Sequence, residues 1–456
     1  MNVSFKQLRF PIAGVAENLS FRDATIPDES RTFSSPHALN VMGEDGCTRR
    51  LRGGSRPGLC RFEGTVSVVN GGRWLWPNGE AIAWPDGNVL SYTTVTQELV
   101  APDGSLIIDP HEAISAHCAK GAIPPAPTLA AMYRNRLFLA SGSDWFCSRI
   151  AEHGDFDYGG DGEDPSRALA GNCALAGRKG ETITAFMPVN DRFMLVATRR
   201  NLWVFGGDPV EGISLLHDSV GCVSANAWCS TPMGVVFVSN LGVYLYAQGE
   251  TPRLLSGKLP MAMSGIDEAL LAYDPEMNGV FLFAEKHGTA HDWFMSFNEM
   301  AFWPISLPSN MRPVAVCRVL DGGIEKSLLH GKDGEWRMFH REQETDDGVA
   351  LKSYAVIGPF RVSARDDLDG ILAEVHATFG GCGNVWIDVF CAKSAEEAVN
   401  RASFSGEDGR RFAQSGRNRV FRPRTRGAWA CLKISSNTHW AYEGITVALK
   451  HLGRLR

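Results

Sequence analysis

Two neighbouring stretches, NDRFMLVATRRNLWVFGGDP at residues 190–209 and TPMGVVFVSNLGVYLYAQGETP at residues 231–252, repeat one plan. Each has an apolar strand, a short polar turn and a second strand with an aromatic residue near its start. The strands read as Phe193–Thr198 and Leu202–Phe205 in the first copy, and as Val235–Ser239 and Val243–Ala247 in the second. β-Branched and aromatic residues fit a pleated, half-buried surface, and Arg200-Asn201 and Asn240-Leu241-Gly242 supply the turns. A lone hairpin cannot bury its apolar face, so the pattern predicts neighbours built the same way.

Such neighbours lie on both sides. Arg73–Trp76, Ala81–Trp84 and Val89–Thr93 precede the pair, as do Arg136–Ala140 with Trp145–Ser148; Val280–Phe283 with Trp293–Ser296 and Leu328–His330 with Trp336–Phe339 follow it. The aromatic of the later strand recurs at Trp145, Trp203, Tyr244, Trp293 and Trp336, at spacings of 58, 41, 49 and 43 residues. A four-stranded propeller blade takes about 40 to 50 residues. The expectation is an all-β chain in three parts. An N-terminal arm with few strand signals covers residues 1–61, a β-propeller of about six blades covers 62–345, and a basic, β-sandwich-like domain covers 346–456. Within the last part, strands are expected at Tyr354–Val362, Ile371–Phe379, Val385–Cys391, Ala430–Ser435 and Ile445–Leu449, with a short helix at Ser394–Ala398.

The chain of 456 residues has a formal charge of −6, which argues against a dedicated nucleic-acid binder. The charge is segregated: residues 401–456 hold twelve Lys and Arg against three Asp and Glu, a local +9, leaving −15 for the rest. The 11 cysteines have no CxxC pair or zinc spacing and read as reduced thiols in cores. The first twenty residues lack a continuous apolar stretch, so neither a cleaved signal nor a membrane anchor is expected.

Two arginine clusters stand out as candidates for contact with nucleic acid or another subunit. Arg49, Arg50, Arg52 and Arg56 lie in a Gly/Pro-rich stretch where Gly and Pro are expected to interrupt any strand and leave the arginines exposed. Arg410, Arg411, Arg417, Arg419, Arg422, Arg424 and Arg426 lie in the loop before the fourth C-terminal strand. Arginine grips phosphate oxygens bidentately, and a solvated loop is the plainer reading of both. Catalytic signatures are missing: there is no GxSxG elbow, HExxH, phosphate loop or dinucleotide fingerprint. Asp155, Asp157 and Asp161, in an acidic Gly-rich stretch, are the weak candidates for a metal, although position 12 counted from Asp155 is Ser166 where a calcium loop needs a bidentate Glu. Neither an enzyme nor a cofactor is expected.

Several short patterns resemble the tail-nozzle and packaged-DNA-stabilisation proteins of short-tailed bacteriophages. They are Arg56-Pro57-Gly58-Leu59, Tyr133-Arg134-Asn135-Arg136-Leu137 with Trp145 and Ser148-Arg149, Gly154-Asp155-Phe156-Asp157-Tyr158, Leu202-Trp203-Val204-Phe205, and Gly221. The resemblance implies a non-enzymatic virion subunit, made and assembled in the host cytoplasm, that forms a homo-oligomeric ring, typically a hexamer. Its implied partners are the portal, adaptor and other tail proteins, with transient contact to packaged double-stranded DNA. A receptor- or carbohydrate-binding propeller at the tail tip is the alternative expectation, and a glycan-degrading propeller a further one.

Overall fold

The computed structural model describes residues 3–17, 34–45, 51–62, 82–83, 89–93, 98–100, 106–107, 120–122, 128–152, 154–159, 162–321, 324–363, 368–381, 384–404 and 411–454. The chain is all-β, with 56% of the described residues in strands and 5% in helix. Among the described residues, six sheets are four-stranded and antiparallel. In chain order, sheet 1 holds Ile82–Ala83, Val89–Thr93, Glu98–Val100 and Leu106–Ile107. Sheet 2 holds Leu129–Tyr133, Arg136–Ser141, Asp144–Cys147 and Leu169–Asn172, and sheet 3 Ile183–Asn190, Phe193–Thr198, Leu202–Gly206 and Ser214–His217. Sheet 4 holds Trp228–Thr231, Gly234–Ser239, Gly242–Tyr246 and Arg253–Leu254, and sheet 5 Glu268–Asp274, Gly279–Lys286, Thr289–Ser296 and Ala301–Ile305. Sheet 6 is formed by Pro313–Asp321, Ile324–Gly331, Trp336–His340 and, from far upstream, Gly58–Arg61.

The hairpins read from the sequence are the second and third strands of sheets 2 to 6, and the recurring aromatic sits on the third. Its role is packing: Trp145 of sheet 2 is buried and meets Phe205 of sheet 3 edge-on at 4.9 Å. Tyr244 and Trp336 instead pack against Phe237 and His330 of the preceding strand in their own sheets. The first strands of sheets 2 and 3, of sheets 4 and 5, and of sheets 5 and 6 neighbour one another. First strands also bond the connector that leads into sheet 4, Thr184 Oγ1 donating to the Cys222 carbonyl (2.7 Å) and the Leu271 N–H to the Asn226 carbonyl (3.0 Å). The expected strands around Trp74, Trp76 and Trp84 lie outside the described residues.

The N-terminal segment departs from expectation. Instead of an arm with few strands it supplies Val3–Leu8, Ala38–Leu39, Val41–Asp45, Leu51–Ser55 and Gly58–Arg61. Glycine at 53 and 54, expected to break a strand, here permits one: a Cβ on Gly53 would lie 2.1 Å from the Phe10 ring, and one on Gly54 2.2 Å from the Trp440 carbonyl oxygen. Strand glycine marks a place where another chain segment crosses closely.

The expected C-terminal strands are all present, the first shifted by one residue to Ser353–Arg361 and the others lengthened, in two sheets that share a core. Ala441–Arg454 and Leu368–Gly380 centre a seven-stranded sheet that takes in Val3–Leu8, Val41–Asp45 and Leu51–Ser55. Ser353–Arg361, Trp429–Ser436 and Val385–Ala392 centre a five-stranded sheet edged by Ala38–Leu39 and Arg411–Ala413. Strand periodicity sorts the five-stranded sheet's residues by face. Ala355, Ile357, Val389 and Leu432 join the shared core, whereas Val356, Phe390 and Cys431 face a helix, α1, over Ala395–Phe404. That helix is longer than the expected Ser394–Ala398, because Ala395, Ala398 and Ala402 fall on one face and Arg401 pairs with Glu397 at 2.8 Å.

Phe10 joins the two halves of the molecule. Its ring lies 5.8 Å from Trp303 of sheet 5, 6.2 Å from Trp440 and 5.7 Å from Tyr442, and all four rings are buried. Burial of one such side chain contributes about 1.5–3 kcal/mol. Cysteines whose side chains are described are free thiols; burial pushes Cys147 and Cys222 up to about 12, so they stay neutral.

His37 adds a pH dependence at the edge of the five-stranded sheet. Its Nδ1 lies 2.7 Å from the Tyr354 hydroxyl, and burial, then the Lys433 ammonium above the Tyr354 ring, lowers its pKa. A histidine depressed in the folded state binds fewer protons there than when unfolded. Its contribution is therefore complete above the unfolded value of about 6.5 and declines as pH falls from there through the folded value. The urea midpoint is expected to drop between pH 7 and 5, and His37→Gln to flatten that part of the profile. An unchanged profile in the variant would contradict the assignment.

Candidate functional site

The C-terminal arginine run does not float free as a loop. It leaves the edge of the five-stranded sheet at Arg411–Ala413, turns at Gly416 (φ +83°), and runs antiparallel along Leu368–Gly380 as the edge of the seven-stranded sheet. Register is set by Thr378↔Arg417, a bridge at Val375↔Phe421 and Ile371↔Arg426. One continuous segment thus closes one side of the sandwich from sheet edge to sheet edge. Pro423 and the arginines give that edge the charged, donor-poor character that discourages strand addition.

Arg411, Arg417, Arg419, Arg422, Arg424 and Arg426 are all exposed on this edge, and Arg410 lies outside the described residues. Arg422 Nε donates to Glu374 Oε1 at 2.8 Å and Arg426 Nε to Asp369 Oδ2 at 2.6 Å. The Arg422 hydrogen bond, then the nearby His376, holds the Glu374 carboxyl below its ordinary range. The Arg411 guanidinium lies 5.6 Å from the Phe421 ring centroid. Among the described residues, no carboxylate comes within ion-pair distance of Arg417, Arg419 or Arg424. Phe412 and Val420 on the same segment are 51% and 37% exposed, and Phe412 meets Trp386 edge-on at 6.3 Å. The arrangement is a row of guanidinium groups with apolar surface between them, suited to oxyanions carried on an extended partner.

The N-terminal cluster is not a second such surface. Arg49 and Arg50 lie outside the described residues, and Arg52 is placed only by its backbone in Leu51–Ser55. Arg56, expected exposed, is fully buried. Its Nη1 and Nη2 donate to Asp346 Oδ1 (2.8 Å) and Oδ2 (2.6 Å), its Nε to Asn40 Oδ1 (2.9 Å), and the remaining N–H groups to the carbonyls of Pro57 (2.8 Å) and Ser306 (2.9 Å). All five guanidinium donors are satisfied, so Arg56 is a structural clasp. Arg136, Arg312 and Arg337 are buried in comparable networks, Arg312 between Asp292 and Glu285 and Arg337 between Asp333 and Asp347. Arg56 is met by Asp346 from far along the chain, whereas Arg337 has a local partner in Asp333, four residues earlier in the adjoining turn.

The acidic stretch forms turns. Asp155 Oδ1 accepts the Asp157 N–H (3.0 Å) and Asp157 Oδ1 the Gly159 N–H (2.9 Å), while Asp155 Oδ2 lies 3.6 Å from Lys120 Nζ; Asp161 is outside the described residues. Asp164 is engaged by the Ser166 hydroxyl and N–H and by Arg149, which lower its pKa. Among the described residues no three His, Cys, Asp or Glu side chains are grouped to hold a metal ion.

No family model matches the sequence, and no curated protein matches it. Among solved structures, the chain is similar to the extracellular domain of a hybrid two-component system from B. thetaiotaomicron, at 9% identity and a TM-score of 0.36, covering 87% of this chain and 49% of that one. A one-component system's extracellular domain from the same organism gives 11% identity and a TM-score of 0.35, covering 76% of this chain and 44% of that one. The Malassezia sympodialis allergen Mala s 1 gives 9% and 0.29, covering 57% of this chain and 90% of that one. The chain spans about half the length of the first two, 49% and 44%. At these values the likeness assigns it neither a family nor an activity.

Proposed function

We propose that the six four-stranded sheets are the blades of a six-bladed propeller and that the chain is a non-enzymatic, ring-forming subunit of a short-tailed phage tail. In that ring, placed below the portal and adaptor, it conducts or retains the packaged genome. The propeller reading is supported by the neighbouring first strands of sheets 2 and 3, 4 and 5, and 5 and 6, and by the last sheet taking its fourth strand, Gly58–Arg61, from upstream of the first. A strand borrowed from the other end of the repeat array is a direct way to tie a ring shut.

The observation that carries the functional reading is the segregation of charge: a +9 tail region, six of whose arginines (Arg411, Arg417, Arg419, Arg422, Arg424 and Arg426) lie along one exposed edge segment, against −15 elsewhere. A conduit that gripped DNA everywhere would hold it in place, since each neutralised phosphate adds affinity. A net-negative body with one arginine row limits contact to a defined place. Reversing Arg417, Arg419 and Arg424 to Glu is expected to leave the fold intact and weaken double-stranded DNA binding at least tenfold in low salt. The slope of log K against log salt should become shallower by about 0.9 for each phosphate that the variant leaves unneutralised. Equal affinity and equal salt dependence in the triple variant would sink the phosphate-contact role.

A further inference from the structure

A cleft of about 340 Å³ opens where loops of sheets 2, 3 and 4 converge. It is walled by the connector 173–181 between sheets 2 and 3, the tight turn Arg200-Asn201, the start of the next connector at Asp218-Ser219, and the turn Asn240-Leu241. Its volume lies at the low end of the roughly 300–1,000 Å³ typical of small-molecule sites.

The chemistry of the walls is selective. Asn201 is only 9% exposed and its backbone is fixed, the N–H donating to Thr198 Oγ1 (3.0 Å) and the carbonyl accepting from the Thr198 N–H (2.9 Å). Its side-chain amide makes no hydrogen bond within the described residues, although it lines the cleft. The amide opens onto the cleft, so its donor and its acceptor are both available to a ligand. Glu181 is already engaged, Oε2 by the Thr198 hydroxyl (3.1 Å) and Oε1 by Arg200 Nε (3.7 Å). Arg178 and Lys179, by contrast, have no carboxylate within ion-pair distance among the described residues. Leu175 and Leu241 add apolar surface, and Asn240, whose Oδ1 accepts from Ser239 (3.0 Å), keeps its NH₂ donors.

We propose that this cleft binds a carboxylate-bearing sugar unit. The carboxylate pairs with Arg178 and Lys179, the hydroxyls, each a donor and an acceptor, meet the Asn201 and Asn240 amides, and the apolar ring face lies against the leucines. A neutral sugar would leave both cations unmatched, and a bare phosphate would leave the amides unused. The proposal uses none of the residues of the arginine edge, so its failure leaves the conduit reading untouched.

The test is ligand-observed NMR titration of the full-length chain with glucuronate, and with glucose and inorganic phosphate as comparisons. Glucuronate is expected to bind saturably and at least tenfold more tightly than either. Arg178→Ala with Lys179→Ala is expected to weaken glucuronate binding about tenfold, equivalent to about 1.4 kcal/mol, and glucose binding hardly at all. Asn201→Asp keeps the shape of the turn, removes the amide donors that meet the hydroxyls and adds a negative charge to the cleft that takes the anionic ligand, and is expected to weaken glucuronate to a similar degree; an unchanged thermal midpoint shows that the turn survives. An oligoglucuronide that binds tighter per unit than the monomer identifies an acidic polysaccharide as the source, and equal binding a free sugar acid. Glucuronate binding no better than glucose, or unchanged in both folded variants, overturns the proposal.

Discussion

A chain lacking residues 1–62 is expected to show no cooperative unfolding transition, by near-ultraviolet circular dichroism or by urea titration. The deletion removes strands from three sheets at once. Sheet 6 loses Gly58–Arg61, the five-stranded sheet loses Ala38–Leu39, and the seven-stranded sheet loses Val3–Leu8, Val41–Asp45 and Leu51–Ser55. Each loss exposes unpaired strand edges, which favour association with other chains over native closure. The deletion also takes Phe10 from between Trp303 and Trp440 and leaves Asp346 buried without Arg56. A truncated chain that unfolded cooperatively at the wild-type midpoint would show that the N-terminal segment is an accessory, contrary to this structure.

Asp346→Ala is expected to cost about 3–5 kcal/mol in urea unfolding, the range for stranding one partner of a buried ion pair. Arg56 has no route to solvent, its side chain being 0% exposed, and without Asp346 two of its five donors have no acceptor. The paired change Arg56→Met with Asp346→Leu should recover a large part of that stability, because the desolvated charge is removed together with its partner. Recovery will be incomplete, since the carbonyls of Pro57 and Ser306 and the Asn40 side chain are left without their donor. A loss below about 1 kcal/mol for Asp346→Ala would place the pair among weak surface bridges.

These two expectations also show which parts of the molecule are readable from the sequence. The second and third strands of the repeated sheets are legible, because apolar strands joined by tight polar turns leave a local signature, as in Val235–Ser239 and Val243–Ala247. The first strands are less so: Glu268–Asp274 is buried on both faces and shows no alternation, and fourth strands such as Arg253–Leu254 are short and exposed. Arg56 illustrates the deeper limit. Among glycines and a proline it reads as exposed, and its burial depends on Asp346, 290 residues later. Of the candidate residues, the C-terminal run is legible as a charge concentration, but its place along Leu368–Gly380 comes from pairing across the sheet. The cleft near Asn201 leaves no local signal at all, since three sheets contribute to it.

The central claim, a propeller subunit that closes into a ring around a channel, is tested most directly by single-particle electron microscopy of the purified full-length chain at micromolar concentration. The account predicts closed rings of one subunit number with an open centre, as expected for a repeated head-to-tail contact whose rotation closes. A population of monomers at every concentration, with no ring and no channel, would contradict it.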